Sequence, residues 1–219
     1  MKINDGFYIT PKQDIPANAN WLVFDMDGTI TPESMDYLAN NYGLHDEIAK
    51  ITELGMQGKI KFEDSVKKRL ELMKGIPKQK IIQTGYELPL QEGAFELVAE
   101  LGYVTAMITG GFSDIACTVA ERLGADVYWA NELVYENEKT TDKFILNVNS
   151  NKGAIMDYII MNHNPSKIVY IGDGSNDIPA FLKADISIAT YNAKQIAKEN
   201  AMYQLNGRNL YNALELIKT

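Results

Sequence analysis

The stretch "WLVFDMDGTITPES" (residues 21–34) decides the fold. Four apolar residues follow one another without alternation and end on Asp25, with a second carboxylate at Asp27. A short continuous apolar run bounded by turn formers reads as a strand buried on both faces, the kind found in parallel sheets. In an open α/β sheet, ligands bind beyond the carboxyl ends of the strands. Both charges are therefore delivered to the place where chemistry is expected.

Further runs of the same kind follow: "YVTAMIT" (103–109), "KIVYIGD" (167–173) and "DISIAT" (185–190). Between them, "SDIACTVAERLG" and "KGAIMDYIIMNH" repeat their apolar residues at helical spacing. Strands alternating with helices predict an α/β class with a Rossmann-like parallel sheet core. Residues 132–148 read as a hairpin turning at Asn137 and Glu138. The interval 31–95 carries helical patterns near 33–42, 46–54, 62–73 and 78–87 and no convincing strand, so a helical module is inserted after the first strand. The expected organisation is an N-terminal extension (1–20, with a weak strand signal at "GFYIT"), a core (21–30 and 96–219) and a helical cap (31–95).

A chain of 219 residues with 46% hydrophobic content can bury a full core. Its net charge of −8 argues against nucleic acid or an anionic membrane surface as partner, since both select a basic face. No apolar run approaches the roughly 18 residues of a membrane span, and the first residues lack the apolar centre of a signal peptide, so the expected location is cytoplasmic. The single Cys117 has no internal disulfide partner and is expected to be a small buried apolar residue. His45 and His163 lie in polar surroundings and are expected to face solvent, and the tryptophans and tyrosines are expected to pack rather than stack on bases.

Four polar clusters converge on the predicted rim. They are Asp25 with Asp27, Thr109 with Gly110 and Gly111, the "GDGSND" run with Asp173, Asn176 and Asp177, and Lys152 at the opening of a helix. Any one aspartate alone reads as a turn former or helix cap. Together, Asp25, Asp27, Asp173 and Asp177 repel unless a cation intervenes, and a hard divalent ion, Mg²⁺, is the economical choice. Lys152 stands at the unfavourable end of a helix dipole, which calls for an anionic partner. Thr109-Gly110-Gly111 is expected to form a turn into a helix, its hydroxyl and free N–H groups holding phosphate oxygens. These parts suit phosphoryl transfer to a carboxylate, with Asp25 as nucleophile and Asp27 as acid and base.

In that order, "DMDGT", "TGG", the helix-opening Lys152 and "GDGSND" resemble the four motifs of the haloacid dehalogenase superfamily phosphatases, across residues 21–216. The resemblance implies Asp25 as nucleophile, Asp27 as acid/base that also offers its carbonyl to Mg²⁺, and Asp173 as a metal ligand with Asp177 supporting the metal shell. It places Thr109, Gly110, Lys152 and Asn176 on the phosphate. Within the superfamily, "TPESMDYLANNYG" and "ITELGMQGKIKFEDSVKKRLELMKG" are similar to the phosphoserine phosphatases. That similarity implies a cap over the site, with Glu33 and Arg69 on the substrate's amino and carboxylate groups and Met56 and Phe62 lining the pocket. It also implies an Mg²⁺-dependent hydrolysis of O-phospho-L-serine through an aspartyl-phosphate. The alternatives are another small phosphorylated metabolite, phosphate transfer to an acceptor alcohol, or a phospho-acceptor signalling domain.

Arg69 can be judged from spacing alone. Phe62, Val66, Leu70 and Met73 define an apolar helical stripe, and Arg69 falls within it while Lys67 and Lys68 fall outside. An arginine on a buried face needs an anion, either a substrate or a structural carboxylate. Glu33, two residues after Thr31 as N-cap and next to Pro32, is already explained by helix capping and dipole effects. The chain departs from the family in carrying Thr109 where serine is usual, and the first 20 residues have no family counterpart.

Overall fold

The computed structural model describes residues 2–4, 7–9, 15–56, 59–149 and 151–218, with side chains described for all of these except 2–4, 7–9, 55, 56 and 62. Two short strands, β1 (Lys2–Asn4) and β2 (Phe7–Ile9), precede the first long strand β3 (Asn20–Asp25). Four helices follow: α1 (Ser34–Asn40), α2 (His45–Met56), α3 (Phe62–Leu72) and α4 (Lys78–Glu87). The chain then runs through α5 (Ala94–Leu101), β4 (Val104–Phe112), α6 (Ser113–Leu123) and the hairpin β5 (Val127–Glu136) and β6 (Lys139–Ile145). It ends with α7 (Gly153–His163), β7 (Lys167–Gly172), α8 (Ile178–Phe181), β8 (Ile186–Ala189), α9 (Gln195–Asn200), β9 (Tyr203–Gln204) and α10 (Ala213–Lys218).

The sheet order is β1-β2-β5-β4-β3-β7-β8-β9, parallel from β5 to β9. The strand ending at Asp25 is central, between β4 and β7. Its alternate residues enter two separate cores. Leu22 and Phe24 join Met107, Val119, Leu123 and Ile171 on one face, while Trp21 and Val23 join Ile108, Ile159 and Tyr170 on the other. That double burial is why the run is apolar without alternation. The weak strand signal in the N-terminal extension is β2, which pairs antiparallel with β5 and extends the sheet at that edge.

The hairpin turns at Asn137 (φ 51°) and Glu138 (φ 58°), two consecutive left-handed residues, as a tight hairpin turn requires. β6 also fastens the end of the helical insert. Gly75 N–H donates to Thr140 O at 2.9 Å, and Thr140 N–H to Ile76 O at 2.9 Å. The Thr140 hydroxyl accepts from Ile76 N–H at 3.0 Å and donates to Met73 O at 2.6 Å. The segment after α3 is thereby held like an added strand. Beyond it, α4 packs along α6, and the Arg122 guanidinium donates to the carbonyls of Gly85 (2.8 Å) and Leu88 (2.6 Å).

Three expectations are corrected. Cys117 is exposed, because it occupies the outward face of α6 while Ala116 and Thr118 turn inward. His163 does not face solvent freely: its ring lies 5.0 Å from that of Trp21, and burial lowers its pKa. Thr109-Gly110-Gly111 forms no turn, since β4 continues to Phe112 and α6 starts at the next residue. His45 is exposed, as expected. Among the described residues, no helix is long and apolar enough to cross a membrane.

Candidate active site

At the carboxyl end of β3, Asp25 is 4% exposed. Its Oδ1 accepts from Met26 N–H at 2.7 Å and lies 2.5 Å from Lys152 Nζ. The same ammonium is 2.7 Å from Asp177 Oδ1 and has no exposed surface. Lys152 immediately precedes α7, where the dipole disfavours a cation, and burial disfavours it further. The two carboxylates outweigh both effects and raise its pKa, so it stays charged.

Asp177 is fully buried and fully engaged. Tyr170 O–H donates to Oδ1 at 2.8 Å, while Oδ2 accepts from the amides of Asp173 (3.0 Å) and Gly174 (2.9 Å). This carboxylate therefore shapes the loop after β7 and holds Lys152. Asp25 and Asp173 keep acceptor capacity for something else. Burial, then the neighbouring acids, raises the pKa of Asp173, and burial raises that of Asp25 against the pull of Lys152.

Asp27 is held from both sides. Its Oδ1 accepts from Ser34 N–H at 2.7 Å, and its Oδ2 from the Thr109 hydroxyl at 3.1 Å. The Thr109 oxygen accepts in turn from Gly111 N–H at 2.8 Å. Two glycines make room for the rim carboxylates, Gly111 for Asp27 and Gly28 for Asp173. A Cβ at Gly111 would sit 2.9 Å from Asp27 Oδ2, and one at Gly28, whose φ is +83°, would sit 2.6 Å from Asp173 Oδ2. Thr109 has no exposed surface, so its hydroxyl serves Asp27.

These residues floor a cavity of about 320 Å³. Asp25, Asp27, Gly110, Gly111, Asp173 and Asn176 come from the sheet rim, and Glu33, Thr52, Ser65 and Arg69 from the helical insert above. Lys194, before α9, completes the wall. With Ser34, the insert thus contributes five of the eleven polar side chains of the lining.

Glu33 is not a first-turn dipole residue. α1 starts at Ser34, whose amide is capped by the distant Asp27 carboxylate, so Thr31 is not the N-cap. Glu33 lies in the wall, and burial, then Asp27, Asp173 and Asp36, push its pKa up to about 8 against Lys194. Arg69 lies opposite carboxylates: burial lowers its pKa while Glu33, Asp36 and Asp27 raise it. Its Nε donates to Ser65 O at 3.4 Å. The apolar stripe around it is real at Val66, Leu70 and Met73, all buried.

A titration prediction follows for the metal-free, ligand-free protein. With a folded pKa of about 8 against 4.5 unfolded, the folded state binds the Glu33 proton more tightly, so stability falls as pH rises across that window. Glu33→Gln should flatten the decline in melting temperature between about pH 5 and pH 9. Parallel declines in the two proteins would show that Glu33 ionises as freely as in the unfolded chain.

The rim residues singled out from the sequence are brought together, with Lys152, Thr109 and Asp177 behind the cavity wall rather than on it. The side chains of Met56 and Phe62 lie outside the described residues. Sequence reading passed over Asp36, Ser34, Tyr170, Thr52, Ser65 and Lys194. Tyr170 was hidden in an apolar strand, and Lys194 belongs to no motif. Thr52 did leave a signal: it stands four residues after the buried Ile48 on α2, hence on the inward face.

The donor set fits a cation. Asp25, Asp173 and Asp177 place carboxylate oxygens within 4.8 Å of one another. Such a cluster of acids calls for a positive charge beyond the one Lys152 supplies, and oxygen donors suit a hard divalent ion.

Comparison with known proteins agrees with this geometry. The family model of haloacid dehalogenase-like hydrolases matches residues 22–182. A phosphoserine phosphatase of Methanocaldococcus jannaschii is 37% identical over 206 residues, covering 90% of this chain and 97% of that protein. One from Lactococcus lactis is 32% identical, covering 90% and 94%. Among solved structures, a phospho-aspartyl intermediate analogue of phosphoserine phosphatase superposes with a TM-score of 0.82 at 34% identity, covering 93% of this chain and 99% of that one. A substrate-bound phosphoserine phosphatase complex also gives 0.82, at 33% identity.

Proposed function

The chain belongs to the haloacid dehalogenase-like hydrolase family, and on that premise we propose that it hydrolyses O-phospho-L-serine to L-serine and phosphate. The observation that carries the substrate is the Glu33–Arg69 pair, one acid and one half-buried guanidinium in the same cavity wall, facing the phosphoryl chemistry of Asp25 and Asp27. A zwitterionic amino acid offers each of them a counter-charge.

In the first half-reaction, a carboxylate oxygen of Asp25 attacks phosphorus and the bond from phosphorus to the serine oxygen breaks. Asp27 gives its proton to that leaving oxygen. In the second, Asp27 takes a proton from water as the water oxygen attacks phosphorus, and Asp25 is released as a carboxylate. The bonds from Thr109 and Ser34 keep the Asp27 carboxyl oriented for both transfers. Lys152, fixed by Asp177, holds one Asp25 oxygen and places positive charge beside the phosphoryl group. Gly110 and Asn176 are the rim residues placed to receive phosphoryl oxygens.

Asp25, Asp173 and the Asp27 carbonyl would hold Mg²⁺, which supplies charge neutralisation for the phosphoryl oxygens. Asp177 belongs behind that site, as the group that fixes the loop. The helical segment 31–95 covers the site, with α4 on α6 as its fixed end. Small phosphorylated metabolites fit a cavity of about 320 Å³.

Phosphate release from phosphoserine should require Mg²⁺ and stop with EDTA; turnover unaffected by EDTA would exclude the metal-assisted route. Arg69→Ala should raise KM for phosphoserine by about 10²-fold and leave that for p-nitrophenyl phosphate nearly unchanged, since only the former carries a carboxylate. Equal losses on both substrates would make Arg69 a structural residue.

A further inference from the structure

Several buried side-chain polar atoms of the described residues lack a hydrogen bond, and of these only Thr52 Oγ1 lines the active-site cavity. Thr52 sits inside α2, where a threonine hydroxyl ordinarily bonds back to the carbonyl four residues earlier. It makes no such bond to Ile48. A buried hydroxyl left unpaired is unfavourable, and side chains that remain so in a native site are expected to meet a partner there.

The neighbours of Thr52 are already occupied with one another. Ser65 O–H on α3 donates to Ile51 O at 3.4 Å, and Arg69 Nε donates to Ser65 O at 3.4 Å. This chain of contacts joins α2 to α3 beside the cavity and brings the Thr52 hydroxyl to the wall that also carries Arg69. A carboxylate has about four acceptor positions, of which one guanidinium fills two, so a neutral donor next to Arg69 complements it. An ammonium group has Glu33 and the rim acids available instead.

We infer that Thr52 is a specificity residue, whose hydroxyl donates to the carboxylate of the bound phosphoamino acid alongside Arg69. The inference rests on the phosphoserine reading and adds a residue to it. The same hydroxyl has an opposite effect in the ligand-free protein. There, replacement by the isosteric valine removes an unpaired buried polar atom, so substrate recognition and resting stability are set against each other at this position.

The experiment compares Thr52→Val and Thr52→Ser with the unmodified protein on O-phospho-L-serine and on O-phosphoethanolamine, which lacks only the carboxylate. Thr52→Val is expected to raise KM for phosphoserine on the order of tenfold, leave kcat and the phosphoethanolamine constants within about twofold, and raise the ligand-free melting temperature. Thr52→Ser should keep the phosphoserine KM. Phosphoethanolamine turnover also reports whether each variant is folded, and Thr52→Ala, expected to show the same selective KM increase, serves in place of a valine variant that fails this check. An unchanged phosphoserine KM, or equal losses on both substrates, would overturn the role of Thr52 alone. Absence of phosphoserine turnover in the unmodified protein would overturn the function and, with it, this assignment.

Discussion

Asp25→Asn should lower phosphate release from phosphoserine by at least about 10⁴-fold, because an amide neither attacks phosphorus nor forms the acyl phosphate. The same change should raise the melting temperature of the metal-free protein. Asp25, Asp173 and Asp177 crowd three carboxyls around one ammonium, and burial has already pushed the Asp25 pKa up, so its ionised form is unfavourable in the folded state. Asparagine keeps the shape and removes that charge, while Lys152 remains paired with Asp177 at 2.7 Å. Kinetics and melting curves together make the test. Retained turnover would displace Asp25 as nucleophile, and a lowered melting temperature would show that its charge is needed by the fold.

Lys152→Met should do the reverse on stability while also removing activity. The lysine has no exposed surface and lies 2.5 Å from Asp25 and 2.7 Å from Asp177. Removing one partner of a buried ion pair leaves the others uncompensated, typically at about 3–5 kcal/mol. For a chain of this size that corresponds to roughly 6–20 °C in melting temperature. Loss of the only ammonium among the described residues within hydrogen-bonding reach of the Asp25 carboxylate should also cost about 10³-fold in kcat. The two readouts separate the roles of Lys152. An unchanged melting temperature would mean that the cluster does not depend on the cation, and a preserved kcat would mean that it does not act on the phosphoryl group. Mg²⁺ should narrow the stability difference between Asp25→Asn and the parent protein, since the ion offsets the same repulsion that asparagine removes.

Much of this was legible in the sequence where one residue type has one physical explanation. Apolar runs without alternation fixed the parallel sheet, because only strands buried on both faces tolerate them, as Trp21 and Leu22 show by entering opposite cores. Four acids at one rim implied a cation, and an inward arginine at position 69 implied an anion. The readings that failed depended on geometry across the chain. Thr31 had every local property of an N-cap, yet Asp27 caps α1 after the backbone folds back on itself. Thr109 appeared to end its strand because two glycines follow it. The second of them, Gly111, is instead the residue that lets β4 pass close to Asp27. Cys117 was misplaced because one position in a helix heptad decides inside from outside, and its neighbours are small enough to obscure which face is which. Spacing placed Thr52 on the inward face of α2 but could not show its role, which lies in a bond it does not make.

The position of β3 has a consequence for the order in which the protein can be made. The strand bearing Asp25 is synthesised before both of its neighbours and gains β4 only after residue 112 and β7 only after residue 172. Lys152 and Asp177, which fix its carboxylate, arrive later still in the chain than the helices that cover it. Pairings of such sequence separation close slowly, since the loop entropy is lost before the contacts form. A nascent chain that has emerged only as far as the hairpin therefore exposes an apolar strand edge with no site. Hydrolysis is a property that this polypeptide acquires only once Asp177 has joined Lys152 and Asp25.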